Sequence, residues 1–408
     1  MHNKKYNRYK AFYKIMIEII IFFLLGILAG TIAGLLPGIH TNLVSALLLP
    51  LFFSIQNPVS AIIFITSMAL TNTFIDFIPS IYLSAPDEDT ALGVMPGHKF
   101  LLRGYAHQAV LLTLIGSSLA VIISLIITPL FILIIPKIYS FINRMLSFLL
   151  IWISIFLLSK EKQKIMAAII FILAGFLGLA SLNIPINQPL LPLLTGLFGS
   201  SALICSIKQK TKIPEQKISR ISIDKKQILK PAFLTAIISP LCSFFPGLGS
   251  SQAAIIASSI SKLSRKQFLI LLGSINTVVI SVSFITLFLI NKSRTGAAAA
   301  IQQIIQLTSA HVIYIIITII LASAVSIPLT IFLSKFFAKN INKMSYTAIS
   351  IIILIFLTII TIIFSGFLGL LIFITATALG LVAIFTQIRR TNLMGSLLIP
   401  TIIIYLPI

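Results

Sequence analysis

Two short stretches of the chain place a Pro-Gly pair and small polar residues inside otherwise apolar sequence. They are PGIHTN at 37–42 and PGLGSS at 246–251. Proline lacks an N–H group and glycine tolerates positive φ, so each pair ends a helix. The N–H groups at the start of the next helix are unpaired and suit an anion. Each stretch is therefore a candidate anion site; the alternative is that its hydroxyl and amide groups only cap helices.

An Asn-Thr pair follows each stretch, at 72–73 and at 276–277. Paired, Gly/Pro-interrupted segments in corresponding positions indicate a transporter binding site. A later arginine in the second half is suited to bidentate carboxylate binding. The predicted substrate-binding residues are Pro37, Gly38, His40, Thr41, Asn42, Asn72, Pro246, Gly247, Gly249, Ser250, Ser251, Asn276 and Arg294.

Three acidic residues are candidates for ion coupling or gating. Asp76 lies in a strongly apolar stretch, where a carboxylate indicates function. It could bind Na⁺, carry a proton or pair with a basic residue such as Arg103 or Arg294, or it could lie at the membrane interface near a helix end. Asp87 and Asp89 belong to an acidic segment that is either a gate or a solvated loop.

Other features point to packing rather than to chemistry. Gly26, Gly30 and Gly34 recur every four residues, which predicts a helix face that packs closely against another helix. The cysteines and histidines lack metal-ligand spacing, and no nucleotide-binding or hydrolase motif is present. We therefore expect no metal, no cofactor and no catalytic residue, so the protein is not predicted to be an enzyme.

The composition predicts a membrane protein. Of its 408 residues 58% are hydrophobic and 9% are charged, whereas a soluble domain carries about 25% charged residues. The apolar segments run for about 20 residues, the length of a spanning helix. The predicted fold is an all-α, polytopic transmembrane bundle with about 10–12 spans, in which 42–55, 231–245 and 250–261 are short, broken or re-entrant pieces. The eleven predicted spans are 15–36, 59–83, 107–135, 139–158, 164–182, 189–207, 268–291, 311–334, 345–364, 366–387 and 393–407.

The formal net charge of +22 comes mostly from short basic clusters between apolar segments. The positive-inside rule places these clusters in the cytoplasm, together with the basic N-terminal arm, and no basic, aromatic-rich groove suggests nucleic acid. We therefore predict a multi-pass cell-membrane protein with a cytoplasmic N-terminus. The predicted divisions are a first transmembrane half at 1–207, a basic cytoplasmic loop at 208–230 and a second half at 231–408. The similar PG stretches predict a two-fold internal repeat of the halves; the alternative is a chance match of two common helix-break motifs. The count of membrane crossings favours parallel units, but one misassigned hairpin would reverse it, so both arrangements stay open.

Several motifs, in order along the chain, resemble one transporter family. Gly30-x-x-x-Gly34-x-x-Pro37-Gly38, followed by LLLP at 47–50, resembles the first signature of the TctA-type large membrane subunit of tripartite tricarboxylate transporters. The segments 85–92 and 96–104 resemble that family's next loop, and PGLG at 246–249 resembles its second-half motif. Details such as DEDT at 87–90 are similar to the archaeal, DUF112-like branch. The resemblance implies a carboxylate permease that works with a small membrane subunit and an extracytoplasmic binding protein.

The sequence thus predicts a secondary-type permease for a small anionic solute, a carboxylate. Uphill transport would use an ion gradient, for which Na⁺ and H⁺ are both candidates, or a partner. The predicted partners are the lipid bilayer, the small-molecule anion and the two family subunits; a homo-oligomer is compatible with the sequence. Two other functions stay open. One is an intramembrane serine hydrolase in which Ser250 pairs with His40 or His311; the other is a membrane scaffold that transports nothing.

Overall fold

The structure is a computed structural model, and it describes residues 2–36, 41–53, 57–83, 90, 92, 94–209, 214–219, 221–243, 249–343 and 346–406. This part of the chain consists of helices and their connections. The helices are α1 (His2–Leu35), α2 (Thr41–Phe53), α3 (Pro58–Ile75), α4 (Phe77–Tyr82), α5 (Val94–Leu101), α6 (Ala106–Ser159), α7 (Lys164–Asn183), α8 (Leu190–Leu194), α9 (Ser201–Gln209), α10 (Lys225–Cys242), α11 (Ser250–Ile260), α12 (Arg265–Ile290), α13 (Gly296–Ile304), α14 (Ser309–Asn340), α15 (Tyr346–Phe385) and α16 (Gly395–Tyr405). A π-helical turn at Thr195–Ser200 joins α8 to α9.

Within the described residues, seven helical segments are long and apolar enough to cross a membrane. They are Tyr13–Leu35, Pro58–Tyr82, Ala106–Lys137, Lys164–Asn183, Arg265–Ile290, Ser309–Asn340 and Thr347–Phe385. Two predicted spans correspond to the shorter apolar helices Arg144–Ser159 and Leu190–Cys205. Two others lie in α15, where Gly366 breaks the helical backbone with φ 65° and ψ −163°. The predicted all-α, multi-pass bundle is confirmed.

The helices that follow the two Pro-Gly pairs are short. α2 has 13 residues and α11 has 11. At 1.5 Å per residue these helices are about 20 Å and 17 Å long, less than the roughly 30 Å hydrocarbon layer. Each is therefore a partial crossing, as the sequence indicated.

Two long segments form the centre of the bundle. The apolar part of Pro58–Tyr82 is completely buried inside the protein, and that of Arg265–Ile290 is almost completely buried. In α1 and α15, by contrast, most of the apolar residues are exposed on the outside of the bundle. The central helices carry many hydroxyl and amide side chains, which lipid could not satisfy. Burial inside protein is what allows these polar residues to lie at membrane depth.

The three glycines of α1 lie against α3. A Cβ atom on Gly26 would approach Phe64 O to 2.5 Å, and one on Gly30 would approach Met68 O to 2.3 Å. Gly34 lies against Ile75 in the same way. Because both residue numbers rise together along the contact, α1 and α3 run in the same direction.

One end of the bundle is formed around the α5–α6 turn, and we call it the loop end. The linker between the two halves docks there: the Lys217 N–H donates to Gly104 O over 2.7 Å, and Gln216 Nε2 donates to Leu101 O over 3.0 Å. Ser334 of α14 and Lys266, just inside α12, reach the same region, through contacts with His107 and with Ser222 O. We call the opposite end, where α1 and α3 begin, the arm end.

The central helices run in opposite directions. Tyr82, at the end of α4, donates to Ser334 O over 2.9 Å, so α3 and α4 run towards the loop end. α12 starts at the loop end and runs away from it. α10 also starts there, where Lys230 Nζ donates to Lys262 O, and it ends beside Arg294 beyond the far end of α12.

The two repeated units are therefore inverted. In the first unit α1 and α3 run from the arm end to the loop end, with α2 between them; in the second unit α10 and α12 run the other way, with α11 between them. The preference for parallel units drawn from the sequence is wrong.

The same geometry separates two segments that were both predicted to be cytoplasmic. The start of α1 lies at the arm end, and the described part of the 208–230 loop docks at the loop end, so the two cannot both be cytoplasmic. The positive-inside rule is a statistical preference of short loops, and it assigned both segments from charge alone. The side on which the N-terminus lies stays a prediction.

The basic turns at 160–164 and 389–390 lie together, as the sequence predicted. Asn392 Nδ2 donates to Glu161 Oε1 over 3.0 Å, and Arg389 Nε lies 3.7 Å from the same oxygen. Arg390 donates to the carbonyl groups of Leu197 and Phe198 in the π-helical turn. A π-helical turn widens the carbonyl ladder, which gives this arginine its acceptors.

Candidate functional site

The site is centred on Asp76, which occupies the break between α3 and α4. Asp76 is 5% exposed, and its Oδ2 atom accepts a hydrogen bond of 2.7 Å from Asn276 Nδ2 of α12. A carboxylate buried at membrane depth is costly unless it is hydrogen-bonded. The amide of Asn276 supplies such a bond across the boundary between the two repeated units.

Asn276 connects this carboxylate to the second helix break. Its Oδ1 atom accepts a hydrogen bond of 3.3 Å from Ser250 Oγ, in the first turn of α11. One amide therefore bridges Asp76 of the first unit and Ser250 of the second. Asn276 and Ser250 are both buried, and so is the neighbouring Ser251.

The two Asn-Thr pairs meet at the same depth. Thr277 Oγ1 donates to Thr73 Oγ1 over 3.0 Å. Ser117 of α6 donates to Gly273 O over 3.2 Å and lies 3.4 Å from Thr73 O. The α3, α6 and α12 backbones are thus held together by hydroxyl groups directly beside Asp76.

The start of α11 is capped by a glutamine. Gln252 Oε1 accepts the Gly249 N–H over 2.8 Å, which satisfies one of the donors that a helix start leaves unpaired. Gly249 itself has extended backbone, with φ −86° and ψ 178°. The positive end of the α11 dipole therefore faces the Pro-Gly break that precedes it.

The first unit supplies a corresponding arrangement. α2 begins at Thr41, which is buried, and Asn42 lies in its first turn. Asn72 precedes Asp76 by one helical turn on α3 and is 5% exposed. A Cβ atom on Gly34 of α1 would lie 3.3 Å from Asn72 Oδ1, which places the end of α1 next to this amide.

Arg294 lies at the second break. Its Nε atom donates to Cys242 O, the carbonyl at the C-terminal end of α10, over 2.8 Å. A cation at a helix C-terminus is favoured by the helix dipole. The end of α10 thus holds the Arg294 side chain in position. The described partner of Asp76 is Asn276, not this arginine.

Several predicted residues lie outside the described part of the chain. They are Pro37, Gly38, His40, Pro246, Gly247, Asp87 and Asp89. The roles of these seven residues therefore stay predictions. Described residues close to the breaks do contact the candidate site: Gly34 lies next to Asn72, Ser250 bonds to Asn276, and Cys242 accepts from Arg294.

The predicted set of site residues omits two contributors to the candidate site. Gln252 caps α11, and Ser117 bonds to the backbones of two central helices. Gln252 had a recognisable signal, since an amide in the first turn after a helix break commonly returns to the helix start. Ser117 had none, because its partners are distant in sequence.

His311, the candidate base for Ser250 that lies among the described residues, is bonded elsewhere, as is His107, and His40 lies outside the described part of the chain. His107 Nδ1 lies 2.8 Å from Ser334 Oγ at the loop end. His311 Nδ1 accepts from the Thr308 N–H over 3.1 Å at the start of α14. The described bond of Ser250 goes instead to Asn276.

Broken helices in inverted units, with polar groups that converge on one intramembrane carboxylate, define a polytopic membrane protein of the transporter class. Residues 20–395 match the tripartite tricarboxylate transporter TctA family, and the chain belongs to that family. It is also similar to the uncharacterised protein MJ1079 of Methanocaldococcus jannaschii, with 30% identity over 385 residues, or 90% of this chain and 94% of that protein. No solved structure matches the chain. Membership of the family establishes a role in membrane transport, and the family's description suggests partner subunits.

Proposed function

We propose that the chain is the secondary-type permease for a small carboxylate anion, bound between the two helix breaks. One observation carries the proposal: the inverted units bring Asp76, Asn276 and Ser250 into one buried, hydrogen-bonded cluster beside the start of α11. Polar side chains are rare at this depth unless they serve a substrate or ion path.

The anion is held by helix starts rather than by a dense set of cations. The first N–H groups of α11, and those of α2 in the other unit, point towards the breaks and carry partial positive charge. Ser250, Ser251 and Thr41 add buried hydroxyl groups at these two starts. Arg294 supplies a full positive charge beside the second break, where a substrate carboxylate entering from the arm end would meet it.

Asp76 carries the coupling ion in this account. A buried carboxylate is stabilised when Na⁺ or H⁺ neutralises it, so binding of the cation and of the anionic substrate favour each other electrostatically. Asn276 holds Oδ2 in position, so the coupling ion and the start of α11 are linked through a single side chain.

The test is uptake of labelled carboxylates by the purified chain in proteoliposomes, with and without an inward Na⁺ or H⁺ gradient. Asp76→Asn keeps the size of the side chain but removes its charge. We expect this variant to lose gradient-driven accumulation and to retain exchange of internal for external substrate. Glu161→Gln is the matched control, because Glu161 is also a buried carboxylate but lies at the 389–392 turn.

Gradient-driven accumulation that persists in Asp76→Asn would remove the coupling role. If a combined Thr41→Ala, Ser250→Ala and Asn276→Ala variant takes up substrate as well as the wild type does, the proposed site is wrong.

The described geometry gives less support to the other two functions, the intramembrane hydrolase and the membrane scaffold. A hydrolase requires a histidine base, and His311, the candidate base among the described residues, is bonded to Thr308 instead. A scaffold requires no polar convergence at mid-membrane.

For orientation, we propose that the loop end faces the cytoplasm and that the N-terminus lies outside. Most of the basic residues between spans belong to the loop-end segments, including the linker at 208–230 and the Lys262–Lys266 turn, and the positive-inside rule favours that end. The extracytoplasmic binding protein and the small membrane subunit that the family name suggests would then deliver substrate to the arm end. Impermeant labelling of cysteines introduced at either end tests this orientation.

A further inference from the structure

Two amide groups beside the site leave one atom each without a hydrogen-bond partner among the described residues. They are Gln252 Nε2, a donor, and Asn72 Oδ1, an acceptor. Gln252 is fully buried and Asn72 is 5% exposed. Buried polar atoms in native proteins are nearly always paired, so each of these two atoms requires a partner.

The donor lies at the start of α11. Gln252 Oε1 is fixed by the Gly249 N–H at 2.8 Å, so the whole amide group lies against the start of α11. Nε2 belongs to the same planar group and therefore projects from that helix start. A donor beside the positive end of an 11-residue helix fits a carboxylate oxygen.

The acceptor has a structural twin that shows what it accepts. In the inverted repeat Asn72 corresponds to Asn276, whose Oδ1 atom accepts the Ser250 hydroxyl. A Cβ atom at position 34 would lie 3.3 Å from Asn72 Oδ1, so the glycine there keeps a side chain off that atom. One of the two equivalent amide oxygens thus accepts from a protein hydroxyl, and the other has no partner among the described residues.

We propose that the transported substrate is a hydroxycarboxylate, with its carboxylate on Gln252 Nε2 and its hydroxyl donating to Asn72 Oδ1. This inference rests on the proposed function, and it adds the hydroxyl requirement and the role of Gln252. A site that contains an open acceptor discriminates against an analogue without the hydroxyl, because that acceptor would then be buried unpaired.

The test compares substrate pairs that differ by one hydroxyl group: lactate with propionate, malate with succinate, and citrate with tricarballylate. Uptake by the full chain in proteoliposomes should favour the hydroxylated member of the accepted pair by about tenfold or more in kcat/KM. Asn72→Leu should bring that ratio close to one. Gln252→Leu should lower uptake of both members by a similar factor and leave the ratio unchanged.

Thr66→Val is the control, because Thr66 Oγ1 is another buried atom without a described partner on α3 and lies six residues before Asn72. In this variant the preference for the hydroxylated member of the substrate pair should equal that of the wild type. Asn72→Thr provides a second, smaller change should Asn72→Leu fail to fold, and it should also reduce the ratio.

The outcomes separate this inference from the proposed function. If no member of any pair is transported, the proposed function fails and the inference fails with it. If the wild type transports both members of a pair equally, or an active Asn72 variant keeps the ratio, the hydroxyl role is overturned while the carboxylate permease stands. A change in Na⁺ dependence without a change in the ratio would make Asn72 an ion ligand, which also overturns it.

Discussion

At the scale of single residues, the account depends on the amide of Asn276. It donates to Asp76 and accepts from Ser250, so one side chain satisfies a carboxylate and orients a helix start. The sequence indicated Asp76, Ser250 and both Asn-Thr pairs from their types and surroundings. It could not pair Asp76 with Asn276, because these residues are 200 positions apart and only the packing of α3 on α12 joins them.

A double-mutant cycle measures this bond. Asn276→Ala leaves Asp76 without its described donor and should lower the free energy of unfolding in mixed micelles by about 1–3 kcal/mol. In an Asp76→Ala background the same change should cost less, with a coupling energy of about 0.5–3 kcal/mol. Ser281→Ala is the control, since among the described residues its hydroxyl bonds to Thr277 O of its own helix, over 2.8 Å. Additive effects of the Asp76 and Asn276 changes would show that the bond contributes nothing to stability.

At the scale of elements, the sequence was most informative about where helices stop. A Pro-Gly pair cannot continue a helix, so the short α2 and α11 follow from local backbone chemistry alone. The capping role of Gln252 is also local, since its partner Gly249 is three residues away, whereas the partners of Ser117 depend on tertiary contacts. The four-residue spacing of Gly26, Gly30 and Gly34 predicted a packing face, but it did not identify α3 as the partner or give the direction of packing.

Replacement of Gly30 tests that packing. A Cβ atom there would lie 2.3 Å from Met68 O, a backbone atom that cannot move aside easily. Gly30→Ala should therefore push α1 from α3 and lower the free energy of unfolding by about 1–3 kcal/mol. Gly199→Ala is the matched change, because its nearest neighbour would be Leu357 Cδ1 at 3.5 Å, an ordinary contact. Equal effects of the two substitutions would contradict close α1–α3 packing.

At the scale of the whole molecule, two inverted units place both helix breaks around one intramembrane carboxylate. The repeat was visible in the sequence as two PG stretches with following Asn-Thr pairs. The sequence did not show whether the two units are parallel or inverted. Charge counting put the N-terminal arm and the 208–230 loop on one side, whereas the α1–α3 contacts and the docked linker put them at opposite ends. Such long-range packing is what local sequence patterns do not contain.

The central claim is that the units are inverted, and the sidedness of their first helices tests it most directly. Single cysteines replace Asn3, at the start of α1, and Ser222, just before α10, in a chain whose Cys205 and Cys242 are changed to serine. Right-side-out vesicles are then treated with a membrane-impermeant maleimide before and after permeabilisation. The account predicts that the cysteine at position 3 reacts in intact vesicles and that the cysteine at position 222 reacts only after permeabilisation. Labelling of both positions from the same side would contradict the inverted repeat and the site built on it.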